Sequence, residues 1–272
     1  MFQMLRSKRD RQMLAGPPSV GADRRVYAIG DVHGRYDLLV ELLDMIGHDD
    51  WHREQCEDTS LVFLGDYVDR GPQSRQVIDF IIRLRDRWPN MTCLMGNHEQ
   101  VFQMAINGDE QAVRFFLRDG VGGRETLASY GIAERAIKEM EPGALWELID
   151  MAVPQRHKDF LASLKSHAII GDYAFVHAGI QPGVPLQEQE DTDLYWIRDD
   201  FLNFEQPHSH MIVHGHSIRE NVEMRTNRIG IDTGAYASGH LTAIGLEGTE
   251  CWFMTTGRNA QETEEPRKSS AA

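Results

Sequence analysis

Five short stretches carry side chains that could hold metal ions or move protons: Gly30-Asp31-Val32-His33-Gly34, Gly65-Asp66-Tyr67-Val68-Asp69-Arg70-Gly71, Gly96-Asn97-His98-Glu99, His177-Ala178-Gly179 and His214-Gly215-His216. Each follows an apolar run and sets a glycine or alanine beside a carboxylate, amide or imidazole. Glycine lets the backbone bend sharply and approach a ligand closely. Singly, each stretch has an ordinary explanation. Asp or Asn beside Gly forms turns, a lone histidine such as His177 commonly hydrogen-bonds in a core, and strand alternation puts His214 and His216 on one face for packing as readily as for ligation. Jointly they are harder to dismiss, because five strand ends carrying the donors of one mixed site is a coincidence on the order of one in a hundred.

Carboxylate, imidazole and amide donors without thiolate suit borderline or hard divalent ions, Mn, Fe or Zn, rather than copper or an iron–sulfur cluster. The donor count implies two ions, with one aspartate bridging them. Such a pair, held about 3.5–4 Å apart, generates hydroxide and clamps a phosphoryl oxygen. Arg70 and Arg198 are then suited to grip the remaining phosphate oxygens bidentately.

The elements that must position these groups can be read from periodicity. Val26–Ile29, Leu61–Leu64 and Met91–Met95 read as strands. Between them Tyr36–Ile46 and Ser74–Trp88 read as helices, with stripes of Leu38, Leu39, Leu42, Leu43 and Ile46, and of Val77, Ile78, Ile81, Ile82 and Leu84. This β-α-β-α-β order favours parallel strands covered by helices, and the carboxyl ends of such strands converge on one crevice. Residues 100–165 read as a helical cap insert interrupted by glycines. Later β-favouring runs at Tyr173–Val176, Met211–Val213, Arg228–Ile231, His240–Leu246 and Cys251–Thr255 lack long intervening helices, which predicts a second, more antiparallel sheet packed on the first. The expected fold is therefore α/β: two packed mixed β-sheets flanked by helices, with a helical cap insert. The expected organisation is a flexible N-terminal segment over 1–23, a catalytic domain over 24–256 and a disordered tail over 257–272.

Composition narrows the partners. A net charge of −14 over 272 residues argues against a nucleic-acid polymer as ligand, since phosphate neutralisation needs a basic excess. Residues 1–20 carry Arg6, Lys8, Arg9 and Arg11 but no signal-peptide pattern, and no apolar run is long enough to cross a bilayer, so no stable membrane association is expected. Cys56, Cys93 and Cys251 are odd in number and widely spaced, which fits a reducing cytoplasm, with Cys93 a buried structural thiol.

The five motifs, in this order and spacing, resemble the phosphoprotein phosphatase family of calcineurin-like metallophosphoesterases, in its bacterial serine/threonine branch, over roughly residues 24–246. The resemblance implies that Asp31, His33 and Asp66 hold a first ion, and that Asp66, Asn97, His177 and one histidine of the HGH motif hold a second. His216 fits that family position better than His214. It also implies that His98 is the general acid, oriented by Asp69, and that Arg70, Arg198 and Asn97 bind the substrate phosphate. A carboxylate beside an imidazole agrees with this, since it raises the imidazole pKa and keeps a proton available near neutrality. The implied cofactors are two divalent ions, Mn first, with Fe and Zn as alternatives. The implied activity is a phosphomonoesterase, foremost a serine/threonine protein phosphatase acting on a phosphoprotein or phosphopeptide through a hydroxide bridging the metals. No serine or cysteine stands in the metal motifs as a nucleophile, which favours direct attack. Close relatives imply an alternative, a dinucleoside tetraphosphatase; an inactive phospho-binding module is the third reading. Two departures stand out: Met95 precedes Gly96 where the family carries Lys or Arg, and Ser217 replaces a common Thr. Residues 100–164 have no counterpart to carry over.

Overall fold

The computed structural model describes residues 16–257. In chain order the elements are β1 Arg24–Ile29, α1 Tyr36–His52, β2 Asp58–Phe63, α2 Ser74–Arg85, β3 Met91–Cys93, α3 Asn97–Ile106, α4 Glu110–Phe116, α5 Gly123–Ser129, α6 Glu134–Glu139, α7 Pro142–Ala152 and α8 Gln155–Ala162. They continue with β4 His167–Ile170, β5 Tyr173–Val176, α9 Asp191–Trp196, α10 Asp199–Leu202, β6 Met211–His214, β7 Glu223–Met224, β8 Arg228–Gly230, α11 Ala235–Ser238, β9 Thr242–Glu247 and β10 Glu250–Thr255.

Two five-stranded sheets form, in the orders β10-β9-β1-β2-β3 and β4-β5-β6-β8-β7. In the first, β1, β2 and β3 run parallel, with Ile29 opposite Phe63 and Phe63 opposite Cys93. Side chains on a strand alternate between faces, and here the alternation separates two cores. Tyr27, Ile29, Leu61 and Phe63 join α1, α2 and the later helices on one face. Val26, Ala28, Val62 and Leu64 turn the other way and meet Phe175, Val213 and Ile229 of the second sheet. A third cluster, with Ala174, Val176, Ile212, Leu194 and Phe201, lies on the outer face of that second sheet. The expected α/β fold of two packed mixed sheets flanked by helices is what forms.

Three expectations change in detail. The strands β9 and β10 belong to the first sheet, not the second: β9 pairs antiparallel with β1, and β10 with β9. The centre of the second sheet is parallel, β5 to β6 to β8, with antiparallel strands only at its edges. A parallel connection needs a crossover of a dozen or more residues but not a long helix, and the stretch between β5 and β6 makes it with the short α9 and α10. Helix α1 runs on to His52 past the end of its apolar stripe, because its last polar turns are tied inward: Tyr27 Oη donates to Asp49 at 2.7 Å, and the buried Arg25 donates to Asp50 at 2.7 Å.

The helical stretch α3 to α8 is not a separate lobe. Phe102, Phe116, Leu127, Leu145 and Phe160 continue the same core as β1, β2, α1 and α2. Of the expected flexible segment, residues 1–15 lie outside the described residues, while Ser19 and Val20 are held in place. Val20 is fully buried, its N–H donates to Gly248 O at 3.0 Å, and Asp172 N–H donates to Ser19 O at 2.8 Å. The tail expectation over 258–272 likewise lies outside the described residues. Among the described residues no helix is long and apolar enough to cross a membrane. Cys93 is buried, and burial pushes its thiol up to about 11, in keeping with a structural role.

Candidate metal centre

The motifs follow the carboxyl ends of β1, β2, β3, β5 and β6, and the parallel order within each sheet brings those ends to one crevice. Two clusters form there. His33, Asp66 and His98 each offer a ligand atom within 4.8 Å of the others, and so do Asp66, His177 and His216. Asp66 belongs to both, the position a bridging carboxylate must occupy. Its Oδ2 lies 3.3 Å from His33 Nε2 and its Oδ1 lies 3.4 Å from His177 Nε2.

Backbone carbonyls decide which imidazole nitrogen faces the crevice. His33 Nδ1–H donates to Val68 O at 2.8 Å, and His177 Nδ1–H donates to Leu64 O at 3.0 Å. Burial holds both rings below the ordinary histidine pKa, so both are neutral and present an Nε2 lone pair inward. His177 Nε2 then meets Asn97 Oδ1 at 3.0 Å, two electron pairs with no proton between them. His216 Nε2 and Asp31 Oδ1 are buried without any hydrogen-bond partner. Burial, with His177 adding, pushes the His216 imidazole down to about 2. Converging lone pairs and buried carboxylates are what a divalent cation satisfies, so the donor set fits a metal pair.

Asp31 stands outside both clusters, yet it borders them. Its Oδ2 accepts the His216 N–H at 3.0 Å, and a Cβ on Gly215 would sit 2.0 Å from its Oδ1, so only glycine fits there. Burial, then Asp232 and Asp66, raise its carboxyl well above the ordinary range. Burial opposes charge on Asp66 too, but that carboxyl is held below the ordinary range, with His98, whose proton is favoured, among the imidazoles beside it.

His98 differs from the other histidines. Its Nδ1–H donates to Asp69 Oδ2 at 2.6 Å, leaving Nε2 toward the crevice 3.9 Å from Asp66 Oδ2. Burial works against its proton, but Asp66 and Asp69 outweigh that and raise its pKa above the ordinary value. A ring whose proton is favoured in this way is suited to donate rather than to ligate, which sets His98 apart from the other members of its cluster. Arg70 Nη1 donates to His33 Nε2 at 2.7 Å, and its guanidinium lies 4.8 Å from the ring centre of Tyr236. Arg198 stands exposed where α10 begins, near enough to His177 and His216 for its charge to help lower both.

The structure brings His216 rather than His214 to the cluster. His214 is buried behind it, edge-on to Phe201 at 5.0 Å, and accepts from Arg228 Nη1 at 3.3 Å. Simple strand alternation would have put both on one face; His216, past the strand end at φ 60°, escapes that rule.

Three further residues were not foreseen. Glu99, fully buried, accepts four backbone N–H groups: Asp66 at 2.8 Å and Gly96 at 3.1 Å on Oε2, and Tyr67 at 2.7 Å and Val68 at 3.1 Å on Oε1. Burial and Asp66 push its carboxyl up, while the four donors leave no oxygen free for a proton, so its bonding is that of a carboxylate. Asp232, buried against Asp31, follows the run Arg228–Ile231 and precedes Gly234, the same signature as the recognised motifs. Thr126 of α5 meets Asp69, and nothing in its local sequence marks it.

The family model described as calcineurin-like phosphoesterase matches residues 24–241. The chain belongs to the calcineurin-like phosphoesterase family. The resemblance to the calcineurin-like metallophosphoesterases drawn from the motifs therefore holds, and two groups of residues that could hold metal ions stand at its strand ends. A Schizosaccharomyces pombe protein provisionally named a serine/threonine-protein phosphatase is 30% identical over 185 residues, covering 67% of this chain and 46% of that protein. A catalytic chain of protein phosphatase 2A from Dictyostelium discoideum is 37% identical over 100 residues, covering 36% of this chain and 27% of its own. The chain thus spans less than half the length of these two relatives. An asymmetrical bis(5'-nucleosyl)-tetraphosphatase of Anoxybacillus flavithermus is 26% identical over 239 residues, covering 79% of this chain and 88% of that enzyme. Among solved structures, one titled as a provisional diadenosine tetraphosphatase superposes with a TM-score of 0.59 at 18% identity, over 85% of this chain and 93% of the other. The cold-active protein-tyrosine phosphatase of a psychrophilic Shewanella superposes with a TM-score of 0.53 at 18% identity, over 89% and 80%. Both share this fold.

Proposed function

We propose that this phosphoesterase is a phosphomonoesterase of the serine/threonine protein phosphatase type. The observation that carries the chemistry is the buried His98–Asp69 pair, bonded at 2.6 Å, beside a carboxylate shared by two ligand clusters. Asp31, His33 and Asp66 would hold one divalent ion, and Asp66, Asn97, His177 and His216 the other, with manganese the first candidate. When bound, the pair would supply Lewis acidity and lower the pKa of water toward neutrality. The chain's own residues do the rest. Arg70 and Arg198 bind and orient the phosphoryl oxygens, with Asn97 beside them. Asp69 holds the His98 ring by its Nδ1–H, so that Nε2–H points at the oxygen that leaves. As water attacks phosphorus and the phosphorus–oxygen ester bond breaks, His98 passes its Nε2 proton to the departing alkoxide, which leaves as an alcohol.

The phosphoprotein reading rests on the Gly65–Gly71 motif and on the likeness to the two named protein phosphatases. A second reading has its own support: the named tetraphosphatase aligns with this chain over most of both lengths. Metal-stripped protein restored with Mn should release phosphate from a phosphoserine peptide at least about tenfold faster than it cleaves diadenosine tetraphosphate at equal concentration. The reverse ranking would move the function to nucleotide hydrolysis, and activity on neither by the metal-loaded protein would support a binding module.

A further inference from the structure

The helical stretch between α3 and β4 reaches into the site at one turn. Thr126 of α5 is fully buried, 57 residues from Asp69 in sequence. Its Oγ1–H donates to Asp69 Oδ1 at 2.7 Å; the same oxygen accepts the Asp69 N–H at 2.8 Å and lies 2.8 Å from Ser74 Oγ. A hydroxyl has one proton and two lone pairs, and all three are committed here, with Ser74 as the second donor. The carboxylate of Asp69 is thereby divided, Oδ1 on Thr126 and Oδ2 on His98. One turn earlier Gly122, at φ 94°, accepts the Arg70 N–H at 3.2 Å, and a Cβ there would lie 2.1 Å from Arg70 N. Asp69 and Arg70 are consecutive non-glycine residues at φ 72° and 67°, a conformation that needs outside support.

We propose that Thr126 is a positioning residue for proton donation: it locks the Asp69 carboxylate in the plane that holds His98 toward the leaving oxygen, and so ties the helical stretch to the chemistry. Without the Oδ1 anchor the carboxylate can rotate about its terminal torsion, which is broad and soft, and the 2.6 Å bond to His98 loses its fixed direction. The inference rests on the reading of His98 as the proton donor, and its test separates the two.

The variants are Thr126→Val, which keeps the shape and removes the hydroxyl, Thr126→Ser, which restores it, and His98→Asn. Each is assayed with Mn on two esters of one charge class, phenyl phosphate, whose leaving group needs a proton, and 2,4-dinitrophenyl phosphate, whose leaving group does not. Thr126→Val should lower kcat on phenyl phosphate by about tenfold or more with KM within about twofold, and leave the dinitrophenyl ester within about twofold. Thr126→Ser should recover most of the loss. If valine is not tolerated at this buried position, as read by thermal melting, Thr126→Ala carries the same expectation. Equal losses on both esters, or a serine variant as slow as the valine one, would overturn the positioning role. If His98→Asn discriminates between the esters and Thr126→Val does not, only this inference fails. If His98→Asn loses both equally, the proton-donor reading fails with it.

Discussion

Within one crevice the histidines are held in opposite states: burial keeps His33 and His177 below the ordinary histidine value, while at His98 burial is outweighed by Asp66 and Asp69. His33 and His177 give their Nδ1 protons to main-chain carbonyls and are neutral, whereas His98 gives its Nδ1 proton to a carboxylate and is held above the ordinary pKa. This division was partly legible, because the motifs named the residue types and their order. The bonding that assigns each role was not, since Val68, Leu64 and Thr126 act through a carbonyl or a hydroxyl that sequence patterns do not mark. Asp232 shows the other kind of gap: it carries the strand-end signature but belongs to none of the five motifs. If His98 donates the proton, His98→Asn should lower kcat by about 10²- to 10³-fold on an alkyl phosphate, with KM and bound metal close to the parent's. Near-parental turnover, measured by steady-state phosphate release, would remove His98 from the mechanism.

The loops between strand and helix carry the strain. Of the six described non-glycine residues with positive φ, five are His33, Asp66, Asp69, Arg70 and His216, all in the site motifs. Each left-handed residue costs about 1–2 kcal/mol, so the loops need fixed partners. Glu99 is the main one for the β2 loop, collecting three of its N–H groups and that of Gly96 at the start of α3. Glu99→Gln turns an acceptor-only group into one that presents its own N–H₂ to buried N–H donors, and should destabilise the protein by about 2–4 kcal/mol. The melting temperature should fall by several degrees and metal affinity with it, as read by thermal unfolding and by metal analysis after gel filtration. A variant that melts and binds metal like the parent would show that the loop holds its shape by other means. The elements themselves were largely legible, since apolar stripes mark α1 and α2 and apolar runs mark the longer strands. Sheet membership was not, because β9 and β10 read locally as strands while β1, which ties β9 and through it β10 to the first sheet, lies more than 200 residues before β9.

The whole molecule is a two-sheet scaffold whose parallel strands aim five loops at one point, while the helices of the long insert extend the same core rather than forming a lid. Its stability should fall with acid in a way that one residue reports. His208 stacks on Phe201 and Phe204, and burial, with Arg228 nearby, pushes its pKa down to about 4. The unfolded chain takes up that proton near pH 6.5 and the folded chain does not until about 4, so unfolding binds protons in this window and stability declines as pH falls through it. His208→Gln should therefore lose less melting temperature between pH 6.5 and 4 than the parent, and equal slopes would mean that His208 is not a contributor. The central claim, one carboxylate shared by two metal positions that drive phosphoester hydrolysis, is tested most directly by titrating metal-stripped protein with Mn while following both bound ions and phosphate release. About two ions per chain should bind, activity should rise with their occupancy, and Asp66→Asn should lose both. Full hydrolysis by the stripped protein, or an Asp66→Asn variant that binds metal and turns over like the parent, would contradict it.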